Sequence, residues 1–360
     1  MKPLKIISAL LLLYILCISI YSCSNSNPVT PTGADTTIDS ARYNWTNYAS
    51  PYNIYGPGTW IRDSNDMFFN DGYYLHFNNG IFTQFPIKDF YTDFLGGFDR
   101  NTGYLIGHSY YLQDSVVRIK KWDGSSFSEI PVANNKLGQL WTCFFYKPDE
   151  IWLADFGNQV KKFNGTDLIS YPLNIPSGDS VIIEKIYFDS TVNKLRALTY
   201  SLNPNASNTV YIYEFNGSAW NKSFDLHLQG YALPNIVNGY LISFKDYWIN
   251  YLNNSELTPF ADCRPVGNLY YFDGISRQNI FVSGTHDFAT YYFYNWNGIK
   301  WSREHSPFNA PSFFGNENIN SKNADRIGRI KTLRPSLIYS VNERTVVIAA
   351  DNSIIIGTKK

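Results

Sequence analysis

Short apolar runs separated by polar turns recur along most of this chain. The clearest copy has the apolar run Ile151–Leu153, the alternating run Gln159–Phe163, the pair Asn164-Gly165 and a further run at Leu168–Leu173. Runs of this length with alternating character predict half-buried β-strands. Asn-Gly between two such runs predicts a tight hairpin, since both residues tolerate the positive φ of a type I′ turn.

The same turn signal returns at a regular spacing. It occurs at Asn79-Gly80, Asp123-Gly124, Asn216-Gly217 and Asn297-Gly298, with a degenerate copy at Asn253-Asn254. Successive second residues from 80 to 298 are 44, 41, 52, 37 and 44 positions apart. A period of about 40 to 50 residues is typical of β-propeller blades.

A short apolar strand marks each of seven copies. These runs are Met67–Phe69, Tyr104–Ile106, Ile151–Leu153, Leu195–Ala197, Tyr240–Ile242, Ile280–Val282 and Val346–Ile348. A second apolar run lies upstream in several copies, at Cys143–Tyr146, Ile186–Phe188, Leu269–Phe272 and Leu337–Tyr339. We expect the upstream runs to be the innermost strands and the marker runs to be the second strands of four-stranded blades.

The two ends of the chain complement each other. The last copy has strand patterns at Ser336–Val341, Thr345–Ala350 and Ser353–Thr358, and no fourth pattern before Lys360. Arg42–Ser50 resembles the outer strands of other copies. The sequence therefore predicts an all-β, seven-bladed β-propeller, monomeric, and closed by pairing of the N-terminal and C-terminal strands.

Composition fits this fold and narrows the function. The chain has 28 Tyr, 25 Phe and 9 Trp residues, which favours strands. Seven aromatic residues at repeat-equivalent positions are expected to fill the wedge between blades: Trp122, Trp152, Phe163, Phe215, Trp220, Trp296 and Trp301. Thirty basic residues balance thirty acidic ones, so the charge gives no indication of nucleic-acid binding.

The N-terminus has the layout of an export signal. Lys2 and Lys5 precede the apolar run Ile6–Ile20, which is short for a membrane span. Residues 1–22 are predicted to be a signal peptide. Residues 23–40, rich in Ser, Asn, Pro, Thr and Gly, are predicted to be a flexible tether, and residues 41–360 the propeller.

The segment Ile20-Tyr21-Ser22-Cys23 resembles the lipobox of bacterial lipoproteins. The resemblance implies a lipidated, palmitate-bearing Cys23 and a chain anchored to a membrane of the bacterial cell envelope. Ser24 rather than Asp after the cysteine implies, by the same resemblance, the outer membrane. The other interpretation is an incidental cysteine in an ordinary secretory signal or an N-terminal anchor.

The repeat resembles bacterial propeller repeats that combine Asp-Ile/Val-Trp, a tight turn, and Tyr/Phe-Asn/Asp-Gly-x-x-Trp. The matching segments are Asp149–Leu153, Val117–Phe127, Val210–Trp220 and Tyr292–Trp301. This resemblance implies architecture and says little about activity, because such folds host many functions.

Motifs for common chemistries are missing. The histidines occur singly, and no C-x-x-C or H-E-x-x-H spacing occurs, so no metal or cofactor is predicted. No nucleophile elbow and no phosphate-binding loop occurs either, and no catalytic residue is assigned. Asp63, Asp66 and Asp71 suit turns better than calcium. Cys143 is expected to be a buried thiol that does not pair with Cys263.

The longer connections are expected on one face of the propeller, which is the place to look for a ligand. They are His108–Ser115, Ser201–Asn208, Gly284–Thr290 and Phe308–Arg334. Candidate ligand-binding residues there are His108, Tyr110, Tyr111, His286, Asp287, Phe313, Phe314, Arg326 and Arg329. The last connection is either a basic lip for an acidic glycan or carboxylate, or an Asn-rich excursion with no binding role.

These observations favour a non-enzymatic binding or assembly module in the cell envelope, with a glycan, a peptide or an envelope protein as partner. The alternative is an envelope polysaccharide-acting enzyme, a glycoside hydrolase or lyase, with carboxylates at the channel mouth. A third possibility is a purely structural role. Nearby carboxylates at the mouth would favour the enzyme, and an aromatic or basic surface would favour binding.

Overall fold

The computed structural model describes residues 42–360 apart from 52–53, 55–57, 71–73, 86, 88–89, 100, 109–115, 178, 203–208, 228–234, 238–239, 246–247, 254, 286–291, 305–334 and 351–352. The predicted signal peptide (1–22) and tether (23–40) lie outside the described residues. Within the described part, no helix has the length and apolar character needed to cross a membrane. Its regular elements are strands.

The first four sheets are formed by consecutive strands. A single strand, β1, comprises Tyr43–Ala49. Sheet 1 contains β2 (Gly58–Asp63), β3 (Asp66–Asn70), β4 (Tyr74–Asn78) and β5 (Ile81–Phe85). Sheet 2 contains β6 (Tyr91–Gly97), β7 (Gly103–His108), β8 (Val117–Trp122) and β9 (Phe127–Ile130). Sheet 3 contains β10 (Leu140–Lys147), β11 (Glu150–Asp155), β12 (Val160–Phe163) and β13 (Leu168–Tyr171). Sheet 4 contains β14 (Leu173–Asn174), β15 (Val181–Asp189), β16 (Lys194–Ser201), β17 (Thr209–Phe215) and β18 (Trp220–His227).

The remaining sheets repeat the pattern. Sheet 5 contains β19 (Asn235–Val237), β20 (Tyr240–Lys245), β21 (Trp248–Asn253) and β22 (Glu256–Asp262). Sheet 6 contains β23 (Asn268–Ser276), β24 (Asn279–Thr285), β25 (Tyr292–Trp296) and β26 (Trp301–Glu304). Sheet 7 contains β27 (Pro335–Asn342), β28 (Thr345–Ala350) and β29 (Ser353–Lys359), with β1 beside β29.

The strand order within the sheets agrees with the sequence prediction. In sheet 4, β14 is an additional edge strand beside β18, so β15 counts as the first strand and β16 as the second. On this count all seven marker runs lie in the second strand of a sheet, and the four upstream runs lie in the first. First strands of neighbouring sheets also contact each other, as β6 contacts both β2 and β10. The chain is therefore an all-β, propeller-like arrangement with the first strands innermost.

Buried side chains form seven clusters in the described residues, and each cluster joins two sheets. Six of them join consecutive sheets from 1 to 7. The seventh joins Val347 and Ile354 of sheet 7 to Met67 and Phe77 of sheet 1. Hydrophobic burial between sheets, the largest favourable contribution to folding, thus extends from the last sheet back to the first.

Strand β1 lies at the edge of sheet 7. It pairs antiparallel with β29, from Tyr43 opposite Lys359 to Ala49 opposite Ser353, as the sequence predicts for these segments. The buried Glu304 carboxylate at the end of β26 accepts backbone N–H groups of Arg42 and Tyr43, each at 3.1 Å. Burial raises the pKa of Glu304. One carboxylate of sheet 6 therefore holds the start of β1.

The prediction of type I′ geometry at every Gly turn is wrong except at Asn79-Gly80, where both φ angles are positive. At Gly124, Gly165, Gly217 and Gly298 only the glycine has positive φ. The preceding Asp or Asn side chain instead accepts two backbone N–H groups, as Asn216 does from Ser218 and Ala219 at 2.9 Å each. This side-chain acceptor stabilises a wider loop.

Aromatic packing follows the prediction. Trp152 and Trp220 are fully buried and meet edge to face at 5.2 Å between sheets 3 and 4. Cys143 was predicted to be buried, but it is only partly buried. Cys263 is buried. Both are free thiols.

Candidate ligand-binding site

Of the candidate ligand-binding residues, only His108 is described by the structure. Its imidazole Nδ1 lies 3.0 Å from the Asp93 carboxylate, and the side chain is 37% exposed. Burial raises the pKa of Asp93, and the neighbouring His108 opposes that shift. The other candidates, Tyr110, Tyr111, His286, Asp287, Phe313, Phe314, Arg326 and Arg329, lie outside the described residues, as does Cys23.

A β-bulge recurs at one end of the innermost strand in five sheets. The register between the first and second strands shifts by one residue at Asp93, Trp141, Glu184, Tyr270 and Ser336. This end of each sheet leads into the connection between the second and third strands. We call that side the long-loop face and the opposite side the turn face. Bulges redirect side chains and are frequent next to functional sites.

The bulge in sheet 3 carries an exposed aromatic pair. Trp141 is 40% exposed and Phe156 is 36% exposed. Their ring centroids lie 4.2 Å apart, with 47° between the ring planes. The two rings therefore contact each other, and we call this partly exposed pair on the long-loop face the wedge.

Asp155 positions this pair. It is buried, and its carboxylate accepts the backbone N–H of Gly138 at 2.9 Å and of Gln159 at 2.8 Å. The backbone N–H of Phe156 donates to the Gln139 carbonyl at 3.1 Å. The segments on both sides of the wedge are therefore fixed by hydrogen bonds, and charge-assisted bonds of this kind are among the stronger ones.

Two acidic residues occupy the equivalent bulges on either side. Asp93 is in β6 and Glu184 is in β15, and β10, which carries Trp141, contacts both strands. Each acid has a basic neighbour, because Asp93 contacts His108 and Glu184 interacts electrostatically with Lys185. We call the set Asp93, Trp141, Phe156 and Glu184 the mouth.

A second group of charges lies deeper along the innermost strands. Asp273 of β23 accepts the backbone N–H of Ser340 at 2.6 Å. Burial raises the pKa of Asp273 to about 6, while Lys185 acts in the opposite direction. Burial also lowers the pKa of Lys185. Since Lys185 belongs to sheet 4 and Asp273 to sheet 6, these charges interact across the middle of the propeller-like arrangement.

The acidic residues of sheet 1 serve other purposes. Asp66 contacts His76 at 2.7 Å and Arg62 at 3.3 Å. Asp63 accepts the backbone N–H of Asn65 at 2.7 Å, as expected for a turn. Asp71 lies outside the described residues. Within the described part of the chain, no group of three metal-ligating side chains occurs.

Comparison with protein-family models and with curated proteins gives no match for this chain. Solved structures do match. YCF48 bound to D1 peptide has a TM-score of 0.59 at 11% identity, covering 92% of this chain and 100% of that one. The GH74 xyloglucanase from Xanthomonas campestris has a TM-score of 0.51 at 10% identity, covering 87% of this chain and 53% of that one.

A structure of YCF48 from Cyanidioschyzon merolae also matches, with a TM-score of 0.58 at 9% identity, covering 88% of this chain and 98% of that one. These neighbours are β-propeller proteins. The chain has a β-propeller fold. At such low identities the likeness concerns the fold alone, and propellers serve many functions.

Sequence reasoning missed the mouth. Trp141, Phe156 and Glu184 fall in runs that read as ordinary strand and turn, and only strand pairing reveals the extra residue at each bulge. A residue-by-residue alignment of the repeats is the signal that could have found them, because in five sheets the first strand carries one residue more than its partner at this end.

Proposed function

We propose that this chain is a non-enzymatic binding module that takes its ligand at the mouth on the long-loop face. The observation that carries the proposal is the wedge of Trp141 and Phe156, exposed yet fixed through Asp155. Exposed aromatic rings held in place lose little conformational freedom on binding and contribute large contact areas. The structural neighbour YCF48 has been solved bound to D1 peptide, which supports a binding role for such a fold.

Site-specific photo-crosslinking in producing cells tests this function. A benzophenone amino acid replaces Phe156 in one variant and Ile299 in another. Ile299 is 82% exposed and lies in the hairpin loop between β25 and β26, on the turn face. We expect a retarded adduct at position 156 and none at position 299. Adducts only at 299, or none at 156, would show that the long-loop face is not the binding surface.

We also propose that the propeller has seven blades and is closed between its ends. Seven sheets, a buried cluster between sheets 7 and 1, and the pairing of β1 with β29 support this. Closure removes the two exposed sheet edges that an open ring would present. The ring itself buries its hydrophobic faces, which is consistent with a monomer.

We propose further that residues 1–22 are a signal peptide, that Cys23 is lipidated, and that residues 23–40 tether the propeller to the outer membrane of a bacterial envelope. The support is the segment Ile20–Cys23 with its upstream apolar run. Mass spectrometry of the mature chain should find an acylated N-terminal Cys23. A mature chain that begins elsewhere would rule this out.

A polysaccharide-acting enzyme is the second candidate function. It is favoured by Asp273, whose pKa of about 6 suits a general acid near neutral pH. Asp93 and Glu184 add carboxylates at the mouth. If this function holds, saccharides incubated with the chain are shortened, and Asp273→Asn abolishes the shortening.

A further inference from the structure

We infer that the mouth binds a neutral saccharide chain, with one sugar ring against Trp141 and hydroxyl groups donating to Asp93 and Glu184. This inference rests on the proposed binding function and names its ligand class. It is carried by the shape of the aromatic wedge, the balance of charge around it, and the broken strand ladder beneath it.

The wedge suits a sugar ring. A pyranose presents C–H groups on its faces and hydroxyl groups at its edge, so it packs on an aromatic face while its edge stays available for hydrogen bonds. The exposed part of the Trp141 indole offers such a face, and the ring of Phe156, whose centroid lies 4.2 Å away, packs against the indole and holds it in place. At this spacing the two rings contact each other, so the sugar ring would lie on the exposed surface of the pair and not between the two rings.

The charges around the wedge favour a neutral ligand. Asp93 lies 3.0 Å from His108, and Glu184 is followed by Lys185, with which it interacts electrostatically. A cationic ligand would compete with these basic groups, and an anionic one would approach two carboxylates. Sugar hydroxyls avoid both costs, since they donate to a carboxylate without adding charge, and hydrogen bonds to charged groups are among the stronger ones.

The backbone at the mouth argues against a peptide strand as ligand. Extended peptides are commonly recognised by adding a strand to a regular sheet edge. At Asp93, Trp141 and Glu184 the three innermost strands β6, β10 and β15 bulge, which interrupts the regular ladder. Recognition at the mouth therefore depends on side chains, as in saccharide binding.

Titration of the full chain in detergent micelles tests the inference. The neutral probes are the hexamers of β-1,4-glucose, β-1,3-glucose, β-1,4-mannose and β-1,4-N-acetylglucosamine. The charged comparisons are an oligogalacturonate, which is anionic, and a chitosan oligomer, which is cationic. We expect saturable binding of at least one neutral hexamer, seen by calorimetry, and no tighter binding of either charged oligomer.

Variants locate the bound probe. Trp141→Ala is expected to weaken binding at least about tenfold, or about 1.4 kcal/mol, and Glu184→Gln at least about threefold. Trp141→Tyr, which keeps an aromatic face, should retain most of the affinity. Trp248→Ala is the matched control, because Trp248 is 36% exposed but lies in sheet 5, and it should leave the affinity unchanged. Circular dichroism confirms that each variant is folded.

Three outcomes would overturn the inference: no neutral hexamer binds, a charged oligomer binds more tightly, or Trp248→Ala weakens binding as much as Trp141→Ala. A protein adduct at position 156 in the crosslinking experiment, with no heat of binding in any saccharide titration, would support the binding function and rule out a saccharide as its ligand. Binding followed by shortening of the hexamer supports the saccharide class and assigns the chain to the enzyme alternative.

Discussion

At the scale of single residues, the charges inside the propeller couple its stability to pH. Burial raises the pKa of Asp273 from 3.8 in its ordinary setting to about 6. The folded state therefore binds this proton more tightly than the unfolded state, and the stability due to protonation is fully present below about pH 4. It is lost as the pH rises through about 6, at no more than about 1.4 kcal/mol per pH unit.

Asp273→Asn should remove this pH dependence. The free energy of unfolding, measured in urea from pH 4 to pH 7, is expected to vary less with pH in the variant than in the original chain. Glu256→Gln, a change at an exposed carboxylate, serves as control and should leave the original profile. A variant profile parallel to that of the original chain would show that Asp273 titrates normally.

Single residues also mark where sequence reasoning works and where it stops. Repeat-equivalent aromatics such as Trp152 and Trp220 are predictable, because their spacing follows the strand pattern and their burial follows from it. Asp155 is not predictable as a buried acceptor of two backbone N–H groups. Its role depends on how β10 approaches the turn after β11, which is a tertiary relation.

At the scale of the strands and turns, two glycines illustrate different constraints. Gly217, in the hairpin between β17 and β18, has φ of 98°, and a Cβ there would meet nothing within 4 Å. Gly217→Ala therefore costs only backbone strain, about 1 kcal/mol. Gly103 begins β7, and a Cβ there would overlap the ring of Trp60. Gly103→Ala forces two sheets apart or the indole out of place.

We therefore expect Gly103→Ala to lower the free energy of unfolding by about 1–3 kcal/mol, and by more than Gly217→Ala does. Urea unfolding followed by tryptophan fluorescence measures both. If the two variants lose equal stability, the result would contradict the close contact between Gly103 and the ring of Trp60.

Turns and bulges show a similar division between predicted and unpredicted features. The position of each Asx-Gly loop is given by the sequence, yet its geometry is not, since the side-chain oxygen of Asn216 competes with the type I′ arrangement. The bulges at Asp93, Trp141 and Glu184 cannot be recognised from the residue types in these strands. They arise where paired strands of unequal length must stay in register.

At the scale of the whole molecule, the sequence predicts the arrangement better than the site. Periodic strands define the sheets and their order, and the unmatched patterns at the two ends identify β1 and β29 as partners. The candidate site was expected in the long connections, most of which lie outside the described residues. The mouth instead lies at the ends of innermost strands, on the same long-loop face as those connections.

The central claim is that the chain forms a ring whose first strand completes its last sheet, and a designed disulfide tests it most directly. Asn44 and Thr358 lie directly opposite each other in β1 and β29, and both are exposed. Opposed residues of an antiparallel pair are close enough for a disulfide. In Asn44→Cys/Thr358→Cys, mild oxidation should give a monomeric species of altered mobility with a free energy of unfolding raised by as much as about 4 kcal/mol.

The control pair, Thr46→Cys with Thr358→Cys, lies out of register and should stay reduced under the same conditions. Mass spectrometry of peptides identifies the bond in each case. The account predicts a bond between positions 44 and 358 in nearly all molecules. Failure of that bond to form in the folded monomer, or equal bond formation in the control pair, would contradict the closed ring.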